Sequence, residues 1–327
     1  MCEMNRLEVL VDNRNGNAWD MSQLISNMTW STSRVGKPAS ISISFSKGAI
    51  FQDRGFTINN GDIIRVQEDG VPVFYGYVFS METDENDTVK LTAYDQMRYL
   101  MVNDWCMLKN VTATEVIRYI AKKFNIKLGE LVDTKYKIPT FMEDNKKLLD
   151  IMFRALDFTL NSTKIIYVLY DDFGKLTLRE ATKWTSDYAI GEESQMTSMS
   201  YKVSIDDGTY NYIKMYRDNP EKGVRETFIS KDSNNMAKWG HLQLYKKIDD
   251  KMNQAQIQQL GDNLLKLHNH EKKTLKVNAV GDVRIRAGMY IPFIVPGQEK
   301  EQFRLIEECS QEWSGSGHTM SLTLREI

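Results

Sequence analysis

The chain is poor in several features, and each shortage excludes a class of protein. Its three cysteines (Cys2, Cys106 and Cys309) lie far apart with no CxxC spacing. That leaves neither a disulfide framework nor a zinc knuckle, and three reduced thiols are expected. Six prolines and 19 glycines in 327 residues exclude collagen-like and low-complexity character. The longest apolar runs are short, as in Ile165 to Tyr170, and none approaches the roughly 20 residues a membrane helix needs. The opening MCEMNRLEVLVDNRNG has no signal-peptidase pattern, so a soluble protein made in the cytosol is expected. Neither sign of charge dominates: 42 Lys+Arg face 44 Asp+Glu, a net charge of -2. A protein that grips phosphate backbones carries a clear basic excess.

What is present is ordinary globular material, 42% apolar and 26% charged, which excludes a wholly disordered chain. The length allows two or three domains. The first hundred residues read as strands. Leu7 to Val11 precedes a turn cluster, and Ser40-Ile-Ser-Ile-Ser-Phe45 alternates strictly. Asp69-Gly70 between two β runs is a hairpin signature, and Val89 to Tyr94 is the next strand. A short helix is expected within Asp95 to Asn103. Many short strands with turns between them indicate a barrel or sandwich.

The middle third changes character. Thr112 and Glu115 have capping-box spacing, and Val116, Ile117, Ile120, Ala121 and Phe124 follow at helical intervals. A second amphipathic helix follows Asp144, and residues 165–179 read as a hairpin. After the Ser/Thr/Glu-rich stretch Gly191 to Ser200 the pattern returns to β. Strands are expected at Tyr210 to Tyr216, Thr274 to Val280, Asp282 to Arg286, Met289 to Val295, Phe303 to Cys309 and Thr319 to Leu324, with one long helix from Met252 to Leu267.

The two β regions share a faint repeat. Gly61-Asp-Ile-Ile-Arg-Val, Phe74-Tyr-Gly-Tyr-Val and Thr88-Val-Lys-Leu-Thr92 match Gly288-Met-Tyr-Ile-Pro-Phe, Phe303-Arg-Leu-Ile-Glu and Thr319-Met-Ser-Leu-Thr323. Chance likeness of antiparallel modules and a true duplication both fit the pattern. The architecture read here is mainly β with an α+β insertion. Its parts are a first β-barrel at residues 1–105, an α+β domain at 106–198, and a second β-barrel at 199–327 with an inserted helix near 250–268.

Reactive constellations are scarce. The adjacent acids Asp171-Asp172, Glu192-Glu193, Asp206-Asp207, Asp249-Asp250 and Glu307-Glu308 do not flank one bond, because neighbours on a strand point to opposite faces. His268-Asn269-His270 reads as a polar helix terminus, where histidine suits the dipole; in an extended segment the two imidazoles would share a face with Glu271 nearby. Asp84 to Thr88 begins like a calcium loop, but Val89 and Asp95 stand where Gly and Glu are required. Ser314-Gly-Ser-Gly317 misses the nucleophile elbow. HExxH and both phosphate-cradling glycine motifs are absent. Trp30, Trp105, Trp184, Trp239 and Trp313 sit near element ends, where tryptophans cap cores or anchor interfaces. No catalytic, cofactor-binding or metal-binding residue is nominated, and no cofactor is expected.

The order of parts resembles a known family. The stretch GDIIRVQEDGVPVFYGYVFSMETDENDTVKLTAYDQMRYLMVND (Gly61 to Asp104) is similar to XkdQ/YqbQ-type proteins of contractile-tailed phages and defective prophages. So are the opening LEVLVDNRNGNAWDMSQLISNMTWSTSRVGKPASISISF and the ending AGMYIPFIV…RLIEECSQEWSGSGHTMSLTLREI. The resemblance implies a tail or baseplate hub with two tube-type β-barrel domains flanking a small α+β domain. It implies a homotrimer whose six barrels form a pseudo-sixfold ring, with the hexameric tail tube, the trimeric spike and other baseplate proteins as partners. DNA would only pass through the lumen. The location implied is a virion tail or a phage-tail-like particle such as a bacteriocin. Some hubs carry a fused cell-wall hydrolase; the chain reaches Ile327 just after the last strand, so no lytic domain and no enzymatic activity are expected. The alternatives are a peptidoglycan-cleaving site within residues 106–198, or a carbohydrate-binding β protein.

Overall fold

Period-two alternation and tight turns build the first module. The computed structural model describes residues 6–48, 52–53, 55–191, 195–206, 208–219, 223–248, 250, 252–294, 301–315 and 317–325. Seven strands come first: β1 (Leu7–Asp12), β2 (Ala18–Asp20), β3 (Ile25–Ser33), β4 (Ser40–Ser46), β5 (Ile63–Glu68), β6 (Val71–Thr83) and β7 (Thr88–Tyr94). In β4, Ile41, Ile43 and Phe45 are buried while Ser40, Ser42 and Ser44 lie on the other face. Asp69 and Gly70 both take positive φ, 49° and 77°. A two-residue hairpin turn of that kind requires this of its central pair. The expected short helix is a 3₁₀ turn at Gln96–Leu100, capped by the Asp95 carboxylate accepting from the Met97 N–H.

The next segment mixes helices with strands. It runs β8 (Asn103–Val111), α1 (Ala113–Lys123), β9 (Leu128–Leu131), β10 (Ile138–Lys147), α2 (Leu148–Thr163), β11 (Tyr167–Asp171) and β12 (Leu176–Glu180). The Thr112–Glu115 capping box forms as its spacing predicts, satisfying two otherwise orphaned N–H groups. Val116, Ile117 and Ile120 of α1 share one core with Leu149, Met152 and Leu156 of α2. Strands β8 and β10 pair as a ribbon, and β9 joins the β11–β12 hairpin. Those three strands were not foreseen; their mixed polar pattern carries little alternation.

Two strands follow, β13 (Ile190–Gly191) and β14 (Met196–Ser204). Residues 200–275 then form a compact unit of their own. It holds β15 (Tyr212–Asn219), β16 (Val224–Lys231), α3 (Ser233–Trp239), β17 (Gln243–Lys247) and α4 (Gln254–His268). Its sheet has β15 in the centre, antiparallel to β16 and parallel to β17. Ile213 and Met215 pack against Ile257 and Leu264 of α4, so the predicted long helix closes a small α/β core here.

The chain closes with β18 (Lys272–Val280), β19 (Tyr290–Ile294), β20 (Glu301–Ser314) and β21 (Gly317–Arg325). The strand expected at Asp282 to Arg286 is a turn instead. The Ile285 N–H bonds back to the Asp282 C=O, and the Gln311 amide donates to the Asp282 and Ile285 carbonyls. Local polar bonds therefore outcompete a ladder at this point.

The fold is mainly β, about half strand and a fifth helix. The two β modules share one sheet, in the order β14-β18-β21-β20-β3-β4-β7-β6-β5-β1-β2, with β19 also on β20 and β13 on β19.

Candidate assembly interface

The repeat seen in the sequence is a repeat of backbone hydrogen bonds. The Gly61 N–H donates to the Val78 C=O at 2.8 Å, and the Val78 N–H to the Asp62 C=O at 2.9 Å. In the last module the Gly288 N–H donates to the Ile306 C=O at 2.8 Å, and the Ile306 N–H to the Met289 C=O at 2.9 Å. Both glycines sit at left-handed φ, 92° and 95°, a conformation open to a residue without Cβ. A bulge follows at the same place in each: between Val78 and Ser80 against β7, and between Ile306 and Glu308 against β21. Val78 faces Ala93 and Ile306 faces Leu324, so Leu91-Thr92 and Leu322-Thr323 correspond as the sequence suggested. The middle strand is one residue out. Pairing aligns Phe303 with Tyr75, where the sequence had set it against Phe74.

The modules meet where β3 pairs with β20, from Met28 opposite Trp313 to Ser33 opposite Glu308. Ser31 Oγ and Ser310 Oγ lie 3.2 Å apart. The Arg34 guanidinium forks onto Glu307 at 2.8 and 3.1 Å, with both side chains mostly buried. Such charge-assisted, bidentate bonds are among the stronger polar contacts. Trp313 enters the first module's core beside Met28 and Trp30. A strand edge that would otherwise be open is thereby closed from within the chain.

Two polar clusters brace this part of the molecule. In one, His318 stacks on Trp313 with ring centroids 4.2 Å apart. Its Nε2 donates to Gln311 Oε1 at 2.7 Å, since the Gln311 amide nitrogen is already a donor to two carbonyls. Burial pushes the imidazole down to about 4. In the other, Asp95 accepts from the Ala39 and Met97 N–H groups, and Asp171 accepts from Gln96 and the Gly174 N–H. Burial raises both carboxyls, and Asp171's charge pushes Asp95 up further. The Arg286 guanidinium lies 4.4 Å over Tyr170 and 5.7 Å over Trp30.

The residues singled out from sequence are not brought together. Asp171 holds its own hairpin turn. Glu307 is paired with Arg34, whereas Glu308 lies 3.6 Å from Lys37. Glu192, Glu193, Asp207 and Asp249 lie outside the described residues. His268 ends α4 with Nδ1 3.2 Å from the Gly208 C=O, the polar-terminus arrangement. Asp84 accepts from the Asn86 and Thr88 N–H groups, an ordinary turn. Cys106 and Cys309 are free and buried; Cys2 lies outside the described residues. Trp30 and Trp313 are core residues, Trp184 stacks on Tyr170 at 4.6 Å, and Trp105 is exposed. Among the described residues no group of three or more His, Cys, Asp or Glu is placed to hold a metal. None of the described helices is long and apolar enough to cross a membrane.

Fold and joint together define a β protein with a duplicated, internally joined module and an α+β insertion. The profile of the YqbQ-like family matches residues 28–325, and the chain belongs to that family. It is 30% identical over 274 residues to the phage-like element PBSX protein XkdQ of Bacillus subtilis, covering 83% of each chain. Among solved structures it is similar to the 43 kDa tail protein of prophage MuSo2 from Shewanella oneidensis. That match has a TM-score of 0.69 at 13% identity over 97% of this chain and 98% of the other. A tail protein from Neisseria meningitidis matches with a TM-score of 0.66 at 15% identity, over 99% and 97% of the two chains.

Proposed function

We propose that this protein is the structural hub of a contractile phage-type tail baseplate. Three copies form a homotrimeric, pseudo-sixfold ring that joins a hexameric tail tube to a trimeric spike, with other baseplate proteins around it. The carrying observation is the duplicated module with matching hydrogen-bond register. A sixfold tube can stack on a threefold object if each subunit offers two similar surfaces, and three pairs make six. The names of the relatives support a tail location: XkdQ belongs to a phage-like element, and both structural neighbours are tail proteins.

The role is mechanical, with no catalysis assigned to this chain. In support, Asp171, Glu307 and Asp84 are engaged in turns or ion pairs rather than converging on a cleft. We place the sheet face carrying Ser31, Ser40, Ser42, Ser310 and Ser321 toward the lumen. Lys37 and Lys276 border this face together with Glu308, which lies 3.6 Å from Lys37; two cations partly offset by a carboxylate are a poor stripe for retaining passing DNA.

The test is the mass of the assembled particle and an electron micrograph of its tube end. Three copies at that end are expected. A single copy, six copies, or clearing of cell walls in a zymogram by the purified chain would overturn the reading.

A further inference from the structure

The joint inside one chain is a template for a contact between chains. We infer that β14 of one copy adds as a strand to the open side of β6 in the next copy, along Ser80–Thr83. This repeats between copies the pairing that β3 makes with β20 within one, and it rests on the trimeric reading above.

The argument comes from matching the modules. Val78 corresponds to Ile306, so the part of β6 beyond its bulge corresponds to the part of β20 beyond its own. On β20 that part is held on both sides, by β21 and by β3. On β6 it is held by β7 alone, with no strand on its other side among the described residues. The converse gap is at β14. Strand order runs β3-β4-β7 in one module and β14-β18-β21 in the other, so β14 stands where β3 stands. β3 gives its second edge to β20, whereas β14 ends the sheet among the described residues. Among the described residues, each copy therefore carries an acceptor edge on β6 and a donor edge on β14 left over, of the same kinds that already fit each other internally. A head-to-tail contact of this sort closes into a ring when its rotation allows.

A second observation identifies what β14 lacks. Met199, Tyr201 and Val203 alternate along it and are 43%, 55% and 46% exposed. Their counterparts on β3, namely Met28, Trp30 and Thr32, are 0%, 2% and 6% exposed. Met28 and Trp30 lie in the first module's core, in a cluster that includes Trp313 of β20. An open edge beside an uncovered apolar row invites a partner strand.

The template also gives a register. The Gly281 N–H bonds to the His318 C=O, and the Val280 N–H to the Gln195 C=O. Asn278 donates to Ser198 at 2.8 Å, in the place where β4's Ser44 faces β3's Asn27. Lys202 then takes the place of Ser31, and Glu82 that of Ser310. Opposite charges face each other across copies where the internal joint has a hydroxyl pair.

The test uses the full chain with Cys2→Ser, leaving the buried Cys106 and Cys309, in purified tail particles. Under mild oxidation E82C/K202C links neighbouring copies into a ladder ending at three, while E82C/V203C, displaced to the opposite pleat face, links at least tenfold less. S31C/S310C closes within one chain as the internal control. A charge reversal gives a second readout that needs no disulfide. E82K weakens association roughly fivefold per joint, and E82K/K202E restores it. If the two cysteine pairs link equally, or neither links while the particle holds three copies, strand addition is wrong and the trimer stands. A ladder of another length with the E82C/K202C link intact refutes the trimer and leaves strand addition in place.

Discussion

His318 should contribute a loss of stability in mild acid, and the slope of that contribution is calculable. Unfolded, the imidazole has its ordinary value near 6.5; folded, burial holds it at about 4. Between these pH values the unfolded chain binds a proton that the native chain does not. Unfolding free energy then rises with pH across the window and is lost as pH falls through it. The difference corresponds to about 3 kcal/mol between pH 6.5 and 4, at about 1.4 kcal/mol per unit. The side chain is 11% exposed, so solvent screening takes little from this figure. The assay is urea denaturation followed by tryptophan fluorescence at pH 7.5, 6.5, 5.5 and 4.5, for the native chain and His318→Gln. Taking the difference between the two removes the carboxylates, including Asp95 and Asp171, whose raised values act in the opposite direction. The variant should be less stable at pH 7.5, having lost the ring stacked on Trp313, and should lack the acid slope. Equal slopes would refute the reasoning. So would a reversed slope, since a protonated ring paired with Glu68, whose Oε2 is 3.6 Å from Nδ1, would lose its stabilisation as pH rises.

The paired glycines allow an internal comparison. Gly61→Ala should cost about 1–2 kcal/mol from the left-handed backbone alone, since the space for its Cβ is empty. Gly288→Ala should cost clearly more in the same urea assay, because its Cβ would lie 2.4 Å from Val168 Cγ1. Thr112→Ala removes the cap of α1 and should lower stability by about 1 kcal/mol, with Thr112→Ser largely neutral. Phe141→Ala opens a cavity in the core shared by α1 and α2 and should cost about 3–5 kcal/mol. Arg34→Ala removes the fork on Glu307 and should lower the urea midpoint by the equivalent of about 1.5–3 kcal/mol.

Features written locally were legible in the sequence. The alternation of Ser40 to Phe45, the turn at Asp69-Gly70 and the Thr112–Glu115 box each depend on neighbours a few residues away, and each appears where it was read. The repeat was visible because a Gly-opened strand and a Leu-Thr pair recur. Its middle strand slipped by one because an aromatic at Phe74 imitates the true counterpart of Phe303, and the shift lies in a ladder that sequence does not display. The β8–β10 ribbon was missed because residues 103–111 and 138–147 mix polar and apolar residues on both faces. The joint of Ser31 with Ser310 was beyond reach for a different reason. Nothing about either serine marks a partner 279 positions away.

That separation bears on how the chain folds during synthesis. While the ribosome is making everything between β3 and β20, the Met28–Ser33 edge has no internal partner. Contacts this distant in sequence form late and slowly. The nascent first module therefore spends most of translation with a sticky flank, a period in which chaperone binding or mispairing between neighbouring nascent chains competes with its own late-arriving strand.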